Sequence, residues 1–385
     1  MTKKINDDKI YDIIATVNFG LEAVVKRELL ALGFDNLRVS DRKIEFKGNA
    51  EDIARCNIWL RSAERVYIKL TEFEALSFEE LFEKTKAFNW PDLLPKDAEF
   101  PVQGRSYNSK LFSISDSQSI VKKAIVESLK EKYDTDWFSE DGPRYKLEIQ
   151  ILNDMASITL DTSGAGLHKR GYRDRAGDAP LKETLAAAMI SLSFWRPERV
   201  LYDPFCGSGT IAIEAAMMAK NIAPGLDRDF DSMHWDIVGK DIYKSVKSEA
   251  MKMIDHDLKL QILGSDIDKR SILRARDNAA NIGLSDDIQF FMKDMRDVDL
   301  LNNYGVVIAN PPYGDRMGDI DSIKRLYRDF GKKFKELDTW SIYVLTSFED
   351  FEKLYGRVAD RKRKLYNAKL KVDYYQFYGP RPDYR

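Results

Sequence analysis

Cysteine and histidine are scarce: the 385 residues hold only Cys56, Cys206, His168, His234 and His256. Two cysteines exclude a disulfide framework, and so few soft ligands leave no metal site to expect. No apolar stretch approaches the ~18 residues a membrane crossing needs, so no membrane partner is expected. The opening Met1-Thr2-Lys3-Lys4-Ile5-Asn6-Asp7-Asp8 runs into charge without the apolar core of a signal peptide. A reducing cytoplasm is the expected compartment. Neither sign of charge is in excess, with 61 Lys and Arg against 63 Asp and Glu, so a polyanion would have to be met by local patches. Internal repeats and low-complexity tracts are missing too. What is present is an ordinary globular composition, 44% hydrophobic and 32% charged, over a length suited to two or three domains.

The first 165 or so residues alternate short strands with amphipathic helices. Strands are expected at 11–17, 43–46 and 65–70, with helices at 20–32 and 50–60 and Gly33 stopping the first helix. This run resembles a split-βαβ, ferredoxin-like unit. A second unit starts at Ser77-Phe78-Glu79-Glu80, a capping box for a helix to about residue 88. A strand at 99–102, a helix at 115–133 and strands at 146–152 and 155–160 follow, the last two joined by an Asn153-Asp154 turn. Residues 164–171 read as a connecting loop.

From residue 180 the period lengthens. Helix 181–192, strand 199–202, helix 210–219, strand 261–264, helix 269–282, strands 289–292 and 306–308, helix 322–337 and strand 341–346 alternate, and strands 364–369 and 373–377 close the chain. Residues 221–257 read as an extended, Met- and Asp-rich connection. The expected architecture is α/β, a mostly parallel doubly wound sheet with an antiparallel edge, preceded by the ferredoxin-like unit and an α+β unit. The corresponding domains are 1–70, 71–164 and 165–385.

Chemistry concentrates at two turns. Asp203-Pro204-Phe205-Cys206-Gly207-Ser208-Gly209-Thr210 lies between an apolar strand and a helix, where glycines admit a ligand and helix N–H groups favour an anion. A merely tight strand–helix turn is the plainer reading. Ala212 stands where a dinucleotide fingerprint needs its third glycine, and no Gly-Lys-Ser/Thr is present, so a P-loop is excluded. Asp266 and Asp268 end the next strand; Asp266 suits ribose hydroxyls, while Asp268 is equally a helix N-cap. Asp294 ends the third strand, as an acceptor for an adenine amine or as a solvated acid. Cys206 has no visible base partner and reads as a small filler.

The second turn, Asn310-Pro311-Pro312-Tyr313-Gly314, ends an apolar strand. Two prolines fix the backbone and leave carbonyl acceptors aimed outward. Asn310 adds a side-chain carbonyl and Tyr313 a flat ring, a set suited to an exocyclic amine on a planar base. Accepting its hydrogens out of plane frees the nitrogen lone pair for attack without a general base.

These two turns resemble those of class I, S-adenosylmethionine-dependent amino-methyltransferases. The fuller likeness is to RlmL-type ribosomal RNA methyltransferases with a THUMP domain. The stretch 100–106, Ser109-Lys110-Leu111 and 118–125 are similar to the THUMP core; 167–173, 179–186 and 223–226 are similar to the linking and cofactor-flanking segments. The resemblance covers nearly the whole chain. It implies a Rossmann-like methyltransferase domain and S-adenosylmethionine as cofactor, bound by Asp203, Phe205, Gly207, Gly209, Thr210, Thr184, Asp266, Ile267, Asp294 and Asn310. It implies that Asn310, Pro311, Pro312 and Tyr313 hold the target base, with guanine N2 in 23S ribosomal RNA as the methylated atom. The larger members' second methyltransferase domain has no counterpart in this sequence, and its activity is not carried over.

RNA contacts are expected from Arg105, Lys110, Lys122 and Lys123 in the second unit and from Lys169, Arg170 and Arg173 in the linker. The densest basic run, Arg361-Lys362-Arg363-Lys364, is followed by Tyr366, Tyr374, Tyr375, Phe377 and Tyr378, whose alternation suits sheet packing more than base stacking. Transfer RNA is the next substrate in line. Behind it stand adenine-N6 methylation of DNA, a non-catalytic RNA-binding assembly factor and a nicotinamide oxidoreductase.

Overall fold

The computed structural model describes residues 9–173, 181–301, 303–313 and 320–382. Two compact units form, each from separate stretches of chain. The first takes the chain up to Val17, Leu29–Leu167 and Arg228–Glu249; the second takes Asn18–Glu28, His168–Asp227 and Ala250–Arg385.

In chain order the first half reads β1 (Tyr11–Val17), α1 (Glu22–Ala31), β2 (Arg38–Ser40), β3 (Lys43–Gly48), α2 (Ala50–Trp59), β4 (Ala63–Glu74), α3 (Phe78–Lys86), β5 (Val102–Tyr107), α4 (Ile114–Tyr133), β6 (Leu147–Leu152) and β7 (Met155–Asp161). Its strands form one sheet, ordered β2-β3-β1-β4-β7-β6-β5. The 12-residue β4 makes it continuous: Ala63 to Lys69 pair with β1, and Tyr67 to Glu74 pair with β7. Caps explain where helices start. Asn49 and Asp52 bond reciprocally at 3.0 Å to open α2, and Ser77 accepts from the Glu80 amide at 3.2 Å to open α3. Asn153 and Asp154 both adopt positive φ, 51° and 64°, as a two-residue hairpin of this hand requires.

The second half reads α5 (Glu183–Ser191), β8 (Leu201–Asp203), α6 (Thr210–Ala219), α7 (Gly239–Lys252), β9 (Ile262–Asp266), α8 (Lys269–Ala280), β10 (Ile288–Met292), β11 (Val306–Ala309), α9 (Ile320–Phe334), β12 (Ser341–Thr346), α10 (Phe351–Tyr355), β13 (Arg361–Asn367) and β14 (Leu370–Phe377). The sheet order is β10-β9-β8-β11-β12-β14-β13, parallel except for β14, which runs against both neighbours. β11 and β12 are buried along their whole length, as strands covered on both faces must be. An aromatic core of Tyr327, Phe330, Phe334, Phe351, Tyr355, Tyr375 and Phe377 packs α9 and α10 onto the sheet. The fold is therefore the expected one: a ferredoxin-like part, an α+β part and a mostly parallel α/β domain with an antiparallel edge. Among the described residues no helix is long and apolar enough to cross a membrane.

Two local expectations fail and one strand was not expected. Of the strand expected at 99–102, residues 99–101 make only an isolated Glu99–Arg144 bridge; the strand is β5, which starts at Val102 and whose polar run Gln103-Gly104-Arg105-Ser106 hides a parallel pairing with β6. The short β2 is fully exposed and leaves no apolar pattern. The stretch 221–257 is not an extended connection, because α7 lies within it. Its buried stripe, Tyr243, Val246 and Ala250, follows helical spacing but is diluted by lysines. Ahead of it, Trp235 stacks on Tyr145 with ring centroids 4.9 Å apart. The Tyr243 hydroxyl meets Ser232 Oγ at 2.8 Å and accepts from Asn57 Nδ2 at 3.0 Å. These buried bonds explain why Arg228–Glu249 belongs to the first unit.

Candidate active site

The second unit's strand order reverses between β8 and β11, and ligands of doubly wound sheets bind at the carboxyl edge of such a switch point. Both turns singled out from sequence lie there. β8 ends at Asp203 and the chain turns into α6 through two left-handed glycines. Gly209 has φ +82°, and a Cβ there would sit 2.8 Å from Phe290 Cζ, so loop and sheet are in tight contact. Gly207 has φ +52° and nothing within 4 Å of where its Cβ would be, so its backbone faces open space. The Cys206 amide donates to the Ser265 carbonyl at 3.0 Å and Asn278 Nδ2 to the Ser208 carbonyl at 2.9 Å, fixing the turn at both ends.

Carboxylates surround that opening. Asp203 is 1% exposed, and burial, aided by the charge of Asp266, pushes its carboxyl up to about 8, although the Phe205 amide donates to it at 3.1 Å. Asp266 accepts from the Gly207 amide at 3.0 Å and the Asp268 amide at 2.9 Å, so the loop and the end of β9 share one anchor. Asp268 caps α8, accepting from the Arg270 and Ser271 amides. Asp294 is bound by Arg296 through its amide and its guanidinium, which hold its carboxyl below the ordinary range. Ile267 is 72% exposed at the end of β9 and offers an apolar face beside the opening. Phe205 instead stacks on Phe330, and Thr184 and Thr210 are buried. Carboxylates, an apolar surface and the free amides of α6 fit S-adenosylmethionine, which is cationic at sulfur and nitrogen, planar at adenine and anionic at its carboxyl.

One strand away, β11 delivers Asn310 to Tyr313; Gly314 lies outside the described residues. The Tyr313 hydroxyl donates to Asn310 Oδ1. The Pro312 carbonyl does not point outward as an acceptor; the Tyr327 hydroxyl is 3.0 Å from it and also meets Thr346 Oγ1 at 2.8 Å. Tyr327 and Thr346 thus tie the turn to α9 and β12, a role sequence reading missed. Tyr327 looks like one more core aromatic of an amphipathic helix, and no local signal marks its hydroxyl.

The linker cations require a correction. Arg170 cannot meet RNA: its side chain is 1% exposed and paired with the fully buried Glu214 at 3.3 Å. Arg173 bonds the Leu181 carbonyl, Thr210 Oγ1 and, at 3.1 Å, Glu183, so it braces the start of α6. Lys169 is exposed. In the first unit Arg105 pairs with Glu148, Lys122 pairs with Glu140 at 2.7 Å over the Phe100 ring, and Lys123 lies over Phe82. Lys110 is exposed, its amide donating to Asp154 at 2.7 Å.

Residues 170–376 match the RMKL-like methyltransferase domain, 12–67 the RlmL ferredoxin-like domain and 75–161 the THUMP domain. YpsC of Bacillus subtilis, a candidate RNA methyltransferase by its name, is 49% identical over 96% of this chain and 97% of its own length. The crystal structure of SMU.472, a candidate methyltransferase complexed with SAH, superimposes with a TM-score of 0.92 at 45% identity, covering 98% of this chain and 100% of that one. A Listeria monocytogenes protein described as a predicted N6-adenine-specific DNA methylase gives 0.92 at 49% identity, with 97% of each chain covered. The chain therefore belongs to the RMKL-like methyltransferase family, with an RlmL ferredoxin-like domain and a THUMP domain ahead of the methyltransferase domain, and S-adenosylmethionine is its cofactor.

Proposed function

We propose that the protein methylates the exocyclic N2 amine of a guanine in structured RNA, with 23S ribosomal RNA as the substrate. One observation carries this reading: an Asn-Pro-Pro-Tyr turn stands one strand from the cofactor loop in a chain that also contains a THUMP domain. In this reading residues 1–70 and 71–164 hold the RNA and 165–385 carry the chemistry. The name of YpsC, an RNA methyltransferase candidate, supports the same polymer.

The cofactor, when bound, supplies an electrophilic methyl on a sulfonium. Asp203, Asp266 and the Gly207 backbone hold and orient it; Ile267 covers adenine. Asn310 Oδ1 has two lone pairs, so it accepts an amine hydrogen while keeping the Tyr313 hydroxyl. Tyr313 stacks on the base, which must be unpaired or flipped out to arrive. Tyr327, acting through Pro312, keeps the turn in register. The nitrogen lone pair would bond the methyl as its bond to sulfur breaks, the sulfonium would leave as a neutral thioether, and the nitrogen's proton would go to water after the transfer. Positioning and exclusion of water supply the rate, so no titrating base is required.

The test is methyl transfer from labelled S-adenosylmethionine to size-fractionated total RNA from a strain lacking the gene, followed by nucleoside mass analysis. N2-methylguanosine in large ribosomal RNA supports the proposal, and the same nucleoside in transfer RNA moves it to that substrate. The description of the Listeria relative favours a second reading, adenine N6 in DNA. Labelled N6-methyladenine in DNA, with none in RNA, would establish that reading instead.

A further inference from the structure

The last hairpin of the methyltransferase sheet reaches past the edge where the site lies. β14 pairs with β12 only as far as Asp373↔Thr346, whereas β13 and β14 stay paired to Asn367↔Leu370. Ala309 pairs with Val344, which places Asn310 level with Leu345 and hence with Tyr374 and Arg363. The hairpin tip lies four rows above that level, about 13 Å at strand rise, and three strand spacings to the side, about 14 Å. It stands on the Asn310 side of the switch point, away from the cofactor loop.

This projection is basic. Residues 361–373 hold Arg361, Lys362, Arg363, Lys364, Lys369 and Lys371 against the single acid Asp373, in a protein whose net charge is −2. Asp373 is taken by Lys362 at 3.3 Å. Lys364, Lys369 and Lys371 are exposed, and among the described residues none has a carboxylate within ion-pair distance. The pairs Lys364↔Asp373 and Tyr366↔Lys371 put Lys364, Lys371 and the Tyr366 ring on one face. Lys364 Nζ lies 5.7 Å from the Tyr366 ring centroid. The tip is held firmly: Phe19 meets Tyr366 edge-on at 6.0 Å, and Gly20 approaches so closely that its Cβ would lie 2.9 Å from the Lys364 carbonyl.

We propose that the β13–β14 hairpin is an RNA-backbone clamp, in which Lys364, Lys369 and Lys371 hold the phosphates flanking the target nucleotide and Tyr366 takes a neighbouring base or sugar. The inference rests on RNA being the substrate, as proposed above. Its chemistry is sequence-independent: ammonium groups release counterions from the polyanion, and an aromatic face tolerates any base. A rigid basic arm above the turn adds binding to the strand without touching the reacting base at Asn310.

The test uses the full chain with Lys364, Lys369 and Lys371 all changed to Gln, and all changed to Arg. The probe is size-fractionated total RNA from a strain lacking the gene, with binding followed from 50 to 200 mM salt. Loss of three phosphate contacts lowers the salt slope by about 2 to 3, and the fall in affinity over that salt range shrinks by about 20- to 40-fold. The expected result is that the Gln variant shows this change and a raised KM for RNA. Its kcat and S-adenosylmethionine affinity should stay unchanged, and the Arg variant should behave as wild type. If wild type binds RNA with a steep slope and the Gln variant matches it, the clamp is refuted while the RNA substrate stands. Wild type methylating only DNA would overturn both.

Discussion

Asp203 is the sharpest point at which fold and cofactor binding pull against each other. Its carboxyl is 1% exposed, and burial raises it from 3.8 to about 8. A carboxyl whose folded value is raised binds a proton that the unfolded chain has already lost. Stability from this group is therefore full below pH 4 and falls as pH rises, until the folded carboxyl ionises near 8. At ~1.4 kcal/mol per pH unit the span amounts to about 6 kcal/mol. Asp203→Asn keeps an acceptor for the Phe205 amide and removes the charge. Thermal unfolding should show this variant near wild type at pH 5 and more stable at pH 8, by up to about 10 °C. Cofactor binding should respond with the opposite sign. Cationic S-adenosylmethionine needs the carboxylate, so wild-type affinity rises about tenfold per pH unit between 6 and 8 as the proton is displaced, then levels. Asp203→Asn should bind weakly, with no pH dependence. A wild-type affinity flat from pH 6 to 8, together with a variant whose stability tracks wild type at every pH, would refute this account.

The glycine turn separates folding from binding. Gly209→Ala combines a left-handed φ with a clash against Phe290 and should cost about 2 to 4 kcal/mol in denaturant unfolding. Gly207→Ala meets no neighbour, so it should cost only about 1 to 2 kcal/mol while calorimetry shows cofactor affinity falling at least tenfold. Tyr327→Phe removes the hydroxyl shared by Pro312 and Thr346; kcat should drop several-fold at unchanged cofactor affinity, with a stability loss of about 1 to 3 kcal/mol. Unchanged kcat in that variant would mean that the turn keeps its own shape.

Much of this arrangement was legible because glycine, proline and carboxylate positions follow from local backbone demands. Asp203, Gly207 and Gly209 lie where a strand must turn tightly into a helix, and Asn310 to Tyr313 where a strand meets an open edge. Such features require only the neighbouring residues. The merged first sheet, the α7 insertion and the Tyr327 tether depend on partners distant in sequence. The Tyr243 hydroxyl contacts Asn57, a residue 186 positions away, and no periodicity contains that fact.

Arg170 shows the same limit for charge. In Leu167-His168-Lys169-Arg170-Gly171-Tyr172-Arg173 every cation looks alike, and a basic linker invites a phosphate. Its partner Glu214 sits on α6 among Ile213, Ala215 and Ala216, where a lone acid in an apolar helix signals a buried counter-charge. The two are 44 positions apart and could be matched only by noticing that each is anomalous in its own segment. The pairing has a sharp consequence. Arg170→Ala leaves Glu214 in the core with, among the described residues, only the Tyr172 hydroxyl at 3.4 Å, and should cost about 3 to 5 kcal/mol. Because Arg170 never faces solvent, the salt slope of RNA binding should not change in protein that remains folded. Replacing both partners, Arg170→Met with Glu214→Leu, should recover most of the stability, since the buried pair offsets its own desolvation. If Arg170→Ala instead flattens the salt slope at undiminished stability, the guanidinium meets phosphate after all and the buried pair is not its resting place.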